Sequence, residues 1–181
     1  MSSFKVVLDA CVIIPAPLRD TLLRVAHANL YRLQLTDDIL EEARRNLISE
    51  IGLSESKAQR VVDSVRENFP ESLETGHRQL IASMPINDRD RHILAAAVLT
   101  NAQVIVTQNS RDFPPDSLTP FNIEAQSPDD FLVHLFHLRT ENMIKIIVEQ
   151  LRDLHSPPKT LPEMLETLKL YAPTFVYLVQ N

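Results

Sequence analysis

Apolar and polar positions along the chain fall into two periods. Short β-branched runs, "FKVVL" ahead of Asp9 and "QVIV" ahead of the polar turn "TQNSRDFPPDS", predict buried strands. Pro15 and Pro17 interrupt the chain after the first of these. Elsewhere the spacing is helical. Leu18, Leu22, Val25, Ala26 and Leu30 mark one apolar face, and Ile39, Leu40, Ala43, Leu47 and Ile48 mark a second that starts after Thr36. A third helix is predicted near 54–68, with Ser54 as its cap and Val61, Val62 and Val65 turned inward. Asp90 to about Thr100 reads as a further helix, "FNIEAQ" as a short strand, and residues 70–87 keep neither period. "SPDDFL" carries a helix-start signature: Ser127 as cap, Pro128 at the first helical position and Asp130 three residues after the cap.

Strands separated by helical segments predict an α/β fold with a central parallel sheet flanked by helices. Ligands bind such sheets at the carboxyl ends of the strands, where Asp9 and the pair Asn109/Asp112 fall. Past Leu138 the pattern is helical alone. It predicts a helix over roughly 141–154, a break at "HSPPKT", a T-x-x-E box from Thr160 to Glu163 and a final apolar stretch "TFVYLVQN". The chain is therefore divided into an α/β domain over 1–138 and an all-helical C-terminal extension over 139–181. Apolar stripes on the extension, such as Met143, Ile146, Ile147, Leu151 and Leu154, must bury against the first domain or against a second subunit, a homodimer. Removing the extension is expected to cost solubility or oligomeric state before chemistry.

Composition narrows the class. The 181 residues, 44% of them hydrophobic, suffice for a core of ordinary size. No run approaches the roughly 18–20 apolar residues of a membrane span. "MSSFKVVLDA" lacks the layout of a secretory leader, and Cys11 is the single cysteine, so a cytoplasmic location and no membrane partner are expected. The net charge of −6 lies wholly in 1–138, because five basic and five acidic residues cancel in 139–181. That excludes a broad basic surface for nucleic acid but not a nuclease, in which carboxylates hold a cation that meets the phosphate. With Gly52 and Gly76 as the two glycines, glycine-rich phosphate loops are ruled out.

Four acids stand where they could converge: Asp9 after the first strand, Glu42 on a helix, Asp90 at a helix start and Asp112 in the turn after "QVIV". Carboxylate oxygens suit hard cations such as Mg²⁺ or Mn²⁺, which hydrolyse phosphodiesters, and Arg89, Arg91 and Arg111 stand where a rim could hold phosphates. Each acid has a plainer role open to it. Glu41 and Asp38 compete with Glu42, Asp112 could serve its own turn, and of the pair Asp88/Asp90 the first is assigned to capping the helix and the second to metal. His134 and His137 are read as packing or surface residues rather than zinc ligands, and Cys11 as a small packed residue rather than a nucleophile.

The pieces "VVLDACVI", "DDILEEARRNL", "DRDRHILAAAV", "VIVTQNSRDFP" and "SPDDFL" occur in the order found in PIN-domain ribonucleases, and more narrowly the chain resembles VapC-type toxins of bacterial toxin–antitoxin pairs over about residues 4–138. The resemblance implies a Rossmann-like sheet, a bound Mg²⁺ or Mn²⁺, cleavage of RNA and inhibition by a cognate antitoxin. It also implies that Asp9, Glu42, Asp90 and Asp112 are the metal-binding acids and Thr107 a catalytic hydroxyl near the metal's water. Arg89, Arg91, His92, Asn109 and Arg111 are then expected to contact substrate. Asn109 stands where many relatives carry Asp, and Cys11 where Asn or Ser is common. Two other outcomes compatible with these residues are an RNA- or protein-binding PIN-like module that does not cut, and a metal-dependent phosphoesterase acting on DNA.

Overall fold

The structure, a computed structural model, describes residues 4–155 and 157–181. Residue 156, inside the "HSPPKT" break, lies outside them. The elements run β1 (Lys5–Leu8), α1 (Ala10–Ile13), α2 (Ala16–His27), β2 (Arg32–Gln34), α3 (Asp37–Ser49), α4 (Glu55–Asn68), three 3₁₀ turns within 70–83, α5 (Arg91–Thr100), β3 (Val104–Val106), α6 (Pro115–Leu118), β4 (Glu124–Gln126), α7 (Pro128–Leu138), α8 (Thr140–Asp153), α9 (Leu161–Lys169) and α10 (Pro173–Gln180).

Among the described residues the strands form one parallel sheet in the order β2-β1-β3-β4. The residue types explain the order. Val6, Val7 and Leu8 of β1 and all of "VIV" in β3 are buried, as strands covered on both faces require, whereas the edge strands read "RLQ" and "EAQ". The chain leaves β1 toward β2 on one side and later returns to β3 on the other. A crevice therefore opens between the carboxyl ends of β1 and β3, the place where doubly wound sheets take their ligands.

The predicted helix starts are present. Thr36 accepts the Ile39 N–H, Ser54 the Lys57 N–H, Ser127 the Asp130 N–H, and Thr160 with Glu163 closes a reciprocal capping box. Asn29, Asn101 and Asn122 take the left-handed conformation with φ of 58°, 53° and 56°, the role glycine usually has at helix and turn ends. Strand β2 was not anticipated. "RLQ" is too short and too polar to show an alternation, and it pairs because β1 offers it an edge. The ambiguous stretch 70–87 proves to be 3₁₀ turns and loop, tied down where Asp38 of α3 meets both His77 and Arg78.

The helical extension is built into the core. Gln150 of α8 is buried, its Oε1 accepting from the Thr21 hydroxyl at 2.8 Å and its Nε2 donating to the Pro17 carbonyl at 3.3 Å, both on α2. Arg24 of α2 bridges to Asp153 of α8 at 2.8 Å. The Asp129 carboxylate, in the first turn of α7, accepts the backbone N–H groups of Thr174 and Phe175 at 3.2 and 2.9 Å and so caps α10 from outside. Phe175 and Phe136 meet edge to face at 6.0 Å, as do Tyr31 and Phe131 at 5.2 Å.

Candidate active site

Parallel pairing of β1 with β3 sets Leu8 beside Val106, so the next residues, Asp9 and Thr107, emerge side by side. The Asp9 N–H donates to the Val106 carbonyl at 3.0 Å, and Thr107 continues the ladder by donating to the Gln126 carbonyl at 3.0 Å. Asp9 occupies the N-cap position of α1, yet its side chain makes no cap bond. Instead, Oδ2 accepts from the Thr107 hydroxyl at 2.7 Å and from the Cys11 thiol at 3.2 Å. Oδ1 accepts no hydrogen bond among the described residues. Thr107, fully buried, accepts in turn from the Asn109 N–H at 3.0 Å, which fixes the direction of its proton toward Asp9.

Asp90 sits at the N-cap of α5, also without a cap bond. Burial raises its carboxyl above the ordinary range; the Asn87 side chain opposes this, the charges of Asp9 and Asp112 raise it further, and Arg89 opposes. The charges of Asp9 and Asp112 therefore both act on Asp90. Asp112 is exposed in the 3₁₀ turn Ser110–Asp112, its N–H bonded to the Asn109 carbonyl at 2.9 Å. Asn109 is also exposed, as is Arg111 in the same turn.

Glu42 stands to one side. Its Oε2 lies 2.9 Å from His92 Nε2, off the line of a hydrogen bond, and neither buried atom has another partner among the described residues. Burial disfavours the His92 imidazolium, but Glu42 next to it, the Arg89 backbone and the more distant Asp9 together hold its pKa above the ordinary value. No three His, Cys, Asp or Glu side chains among the described residues are close enough to hold a metal ion. The structure thus brings Asp9, Asp90 and Asp112 into one field, with Glu42 reached through His92, but does not gather them into a ready-made cage. In chemistry the set nonetheless fits a hard cation: every donor is a carboxylate oxygen, one oxygen of buried Asp9 is uncommitted, and the acids repel one another.

One expected role changes. Asp88 does not cap α5; its side chain is 88% exposed and pairs with Arg91 at 2.7 Å, because Asp90 is the residue next to the first helical turn. Arg91 also donates from Nε to the Ile86 carbonyl at 3.0 Å, which ties it to the loop before α5. Cys11 is bound into the site as a neutral donor, its thiol pKa pushed up by burial and by the Asp9 charge. His134 is exposed and approaches Gln126 at 3.2 Å, with no ligand geometry.

The sequence reading missed several residues. Gln108 donates its N–H to Cys11 Sγ at 3.3 Å and its Nε2 to the Cys11 carbonyl at 3.2 Å, closing the loops after β1 and β3 on each other. A cleft of ≈ 490 Å³ is lined by Glu42, Arg45, Asn46, Arg89 and His92. Arg45 and Asn46 were findable, since they follow Glu42 by three and four residues on one helix. A larger hollow of ≈ 560 Å³ on α2, α4 and α8 includes Arg24, His27, Phe69 and Glu149 and shares no lining residue with the acidic site.

Residues 128–180 match the VapC50 C-terminal domain family. Among curated proteins, "Putative ribonuclease VapC50" of Mycobacterium tuberculosis (strain ATCC 25618 / H37Rv) is 41% identical over 100 residues, which is 55% of this chain and 59% of that protein's length. The match thus spans less than two thirds of that relative. No solved structure matches the chain. Residues 5–111 match the PIN domain family, more than half of the 181 residues, and with this parallel sheet and an acid at the end of its first strand the chain belongs to the PIN-domain family.

Proposed function

We propose that the protein is a metal-dependent endoribonuclease, the toxin of a toxin–antitoxin pair, hydrolysing RNA phosphodiester bonds at the crevice between β1 and β3. The observation that supports it best is the electrostatic grouping of Asp9, Asp90 and Asp112 at the topological switch point of the sheet, with Thr107 oriented on Asp9. Likeness to a relative named as a ribonuclease adds weight. Asp9, Asp90 and Asp112, with Glu42 through His92, would hold a Mg²⁺ or Mn²⁺ ion. Such an ion, when bound, supplies Lewis-acid activation of water and neutralisation of the phosphate charge. Thr107 keeps the Asp9 carboxylate aimed into the crevice and its proton directed away from solvent. Arg89, Arg111 and Asn109 on the exposed rim hold and orient the strand, so that water attacks phosphorus in line, the 3′ oxygen leaves and a 5′-phosphate is released.

Within this proposal the chemistry belongs to residues 1–138, where every candidate side chain falls, and residues 139–181 support the fold and offer a surface to a second subunit. An antitoxin is the expected inhibitor, through a basic side chain aimed at the acids. No helix among the described residues is long and apolar enough to cross a membrane, in keeping with a cytoplasmic RNA substrate. Asn109 in place of an acid, with no preformed metal group among the described residues, favours as second reading a PIN-like module that binds RNA without cutting. The test is incubation of the purified chain with RNA and DNA oligonucleotides in Mn²⁺, Mg²⁺ or EDTA. The proposal expects RNA products ending in 5′-phosphate with either metal and none with EDTA; binding without products supports the second reading, and preferential DNA cleavage contradicts both.

A further inference from the structure

We propose that the cleft between α3 and the start of α5 is a subsite for an RNA phosphate outside the bond being cut, held by Arg45, Asn46 and Arg89. The inference rests on the ribonuclease reading above and adds to it residues that the acidic grouping does not include.

Helical spacing sets the cleft wall. Glu42, Arg45 and Asn46 share one face of α3, beside the buried stripe of Leu40, Ala43 and Leu47, while Arg89 and His92 come from the chain entering α5. Every lining side chain is polar or charged, so an apolar ligand has nothing to bury against. Two guanidinium groups argue against a cation and for an anion.

The state of the arginines carries the point furthest. On α3, α4 and α5 and in the turns between them, Arg44 is paired with Glu41 and Glu55, Arg66 with Asp37 and Asp63, Arg78 with Asp38 and Arg91 with Asp88. Arg45 and Arg89 make no side-chain hydrogen bond or ion pair among the described residues, although each feels the field of one acid, Glu41 and Asp90 respectively. The Asn46 amide is likewise uncommitted. At the floor, Glu42 Oε2 and His92 Nε2 are buried 2.9 Å apart, each with no further partner among the described residues.

The wider charge distribution explains why such a subsite is needed. The acids at the β1–β3 crevice repel a polyanion, and the chain as a whole carries −6. A strand can be held across them only if neighbouring phosphates meet local positive charge. A cleft of ≈ 490 Å³ has room for one nucleotide unit rather than a bare phosphate. Arg45 and Arg89 from opposite walls suit the fork geometry by which guanidinium grips phosphate.

The test is fluorescence anisotropy of a labelled single-stranded RNA of about twelve nucleotides, within the usual site sizes for single-strand binding, in EDTA across a salt series. Wild type, Arg45→Ala, Asn46→Ala and the control Arg60→Ala on α4 are compared, with circular dichroism melts to verify folding. Arg45→Ala should weaken binding roughly tenfold and flatten the salt dependence by about 0.7, the release expected of one single-strand phosphate contact. Asn46→Ala should weaken binding less, and Arg60→Ala should match wild type. Arg45→Ala binding within about twofold of wild type with an unchanged slope overturns the subsite, whether or not the protein cuts RNA in Mn²⁺. Arg45-dependent binding without cleavage upholds the subsite and contradicts the ribonuclease reading instead.

Discussion

The Thr107 hydroxyl donates to Asp9 Oδ2 at 2.7 Å across the seam between β1 and β3, and both residues are buried. This bond adds to the Asp9 N–H to Val106 carbonyl bond at the ends of the two central strands and aims Asp9, the residue that follows β1. Its geometry follows from strand register, not from any property of the two residues alone.

Thr107→Val keeps the β-branched shape but removes the donor to Asp9 and the acceptor for the Asn109 N–H. The variant should lose about 1–2 kcal/mol of stability, the cost of leaving buried polar groups unpaired. Any RNA cleavage should fall roughly tenfold to a hundredfold, as when a supporting contact to a metal-binding residue is lost. Urea denaturation beside a cleavage assay reads both effects, and Thr107→Ser, which restores the hydroxyl, should recover most of the activity.

The neighbouring acids separate by environment. Asp88 is 88% exposed and, among the described residues, engaged only with Arg91, so Asp88→Ala should change stability by less than about 0.5 kcal/mol. Asp90→Asn removes a carboxylate that burial and the charges of Asp9 and Asp112 make unfavourable, so the metal-free protein should melt higher. Mn²⁺ should raise the melting temperature of Asp88→Ala as it does wild type, and should raise that of Asp90→Asn much less.

Asp38 provides a pH-dependent clamp between α3 and the 3₁₀ turns that follow α4. Its hydrogen bond to Arg78, with His77 adding, holds the carboxyl pKa down to about 2 from the model-compound value of 3.8, and Asp37 shares the field of Arg78. A carboxyl depressed on folding stabilises fully above its unfolded pKa and loses that contribution as pH falls through its folded one. Asp38→Asn should therefore be less stable than wild type at pH 6, and the gap should narrow from about pH 4 toward pH 2. Paired denaturation curves at several pH values follow it.

The C-terminal helices are expected to be inseparable from the nuclease fold. Gln150 fills a buried site on α2, and Asp129 of α7 caps α10 through two backbone bonds. A chain ending at Leu138 should aggregate or fail to fold. In the full chain, Asp129→Ala should cost about 0.5–2 kcal/mol, the usual range for a lost cap, with the loss of amide exchange protection concentrated in α10. This places folding, ahead of oligomeric state alone, as the first casualty of truncation.

How much of this was legible in the chain depends on the range of the forces involved. Caps at Thr36, Ser54, Ser127 and Thr160 act over three residues and could be read directly. So could β1 and β3, whose apolar character reflects burial on both faces. Strand β2 and the Asp129 cap are long-range choices: each depends on what the tertiary fold sets beside it, which no local period encodes. The acids were identifiable by their places at strand and helix ends, but which of them share a field was not. Glu42 competed with Glu41 and Asp38 in the sequence, and nothing there showed that α5 sets His92 against it. That Asp88 does not cap α5 turned on where the helix begins, a boundary of a residue or two that pattern cannot resolve.

The most direct measurement of the central claim is the rate at which Asp9→Asn and wild type cleave the same single-stranded RNA in Mn²⁺, with matched circular dichroism spectra establishing that both are folded. Asn keeps the shape of the side chain and can still accept the Thr107 bond while removing the charge that a hard cation requires. The account predicts cleavage by wild type that EDTA abolishes, and loss of at least about a thousandfold in Asp9→Asn, as for removal of a residue acting directly in the chemistry. Folded Asp9→Asn cutting RNA at the wild-type rate would contradict it.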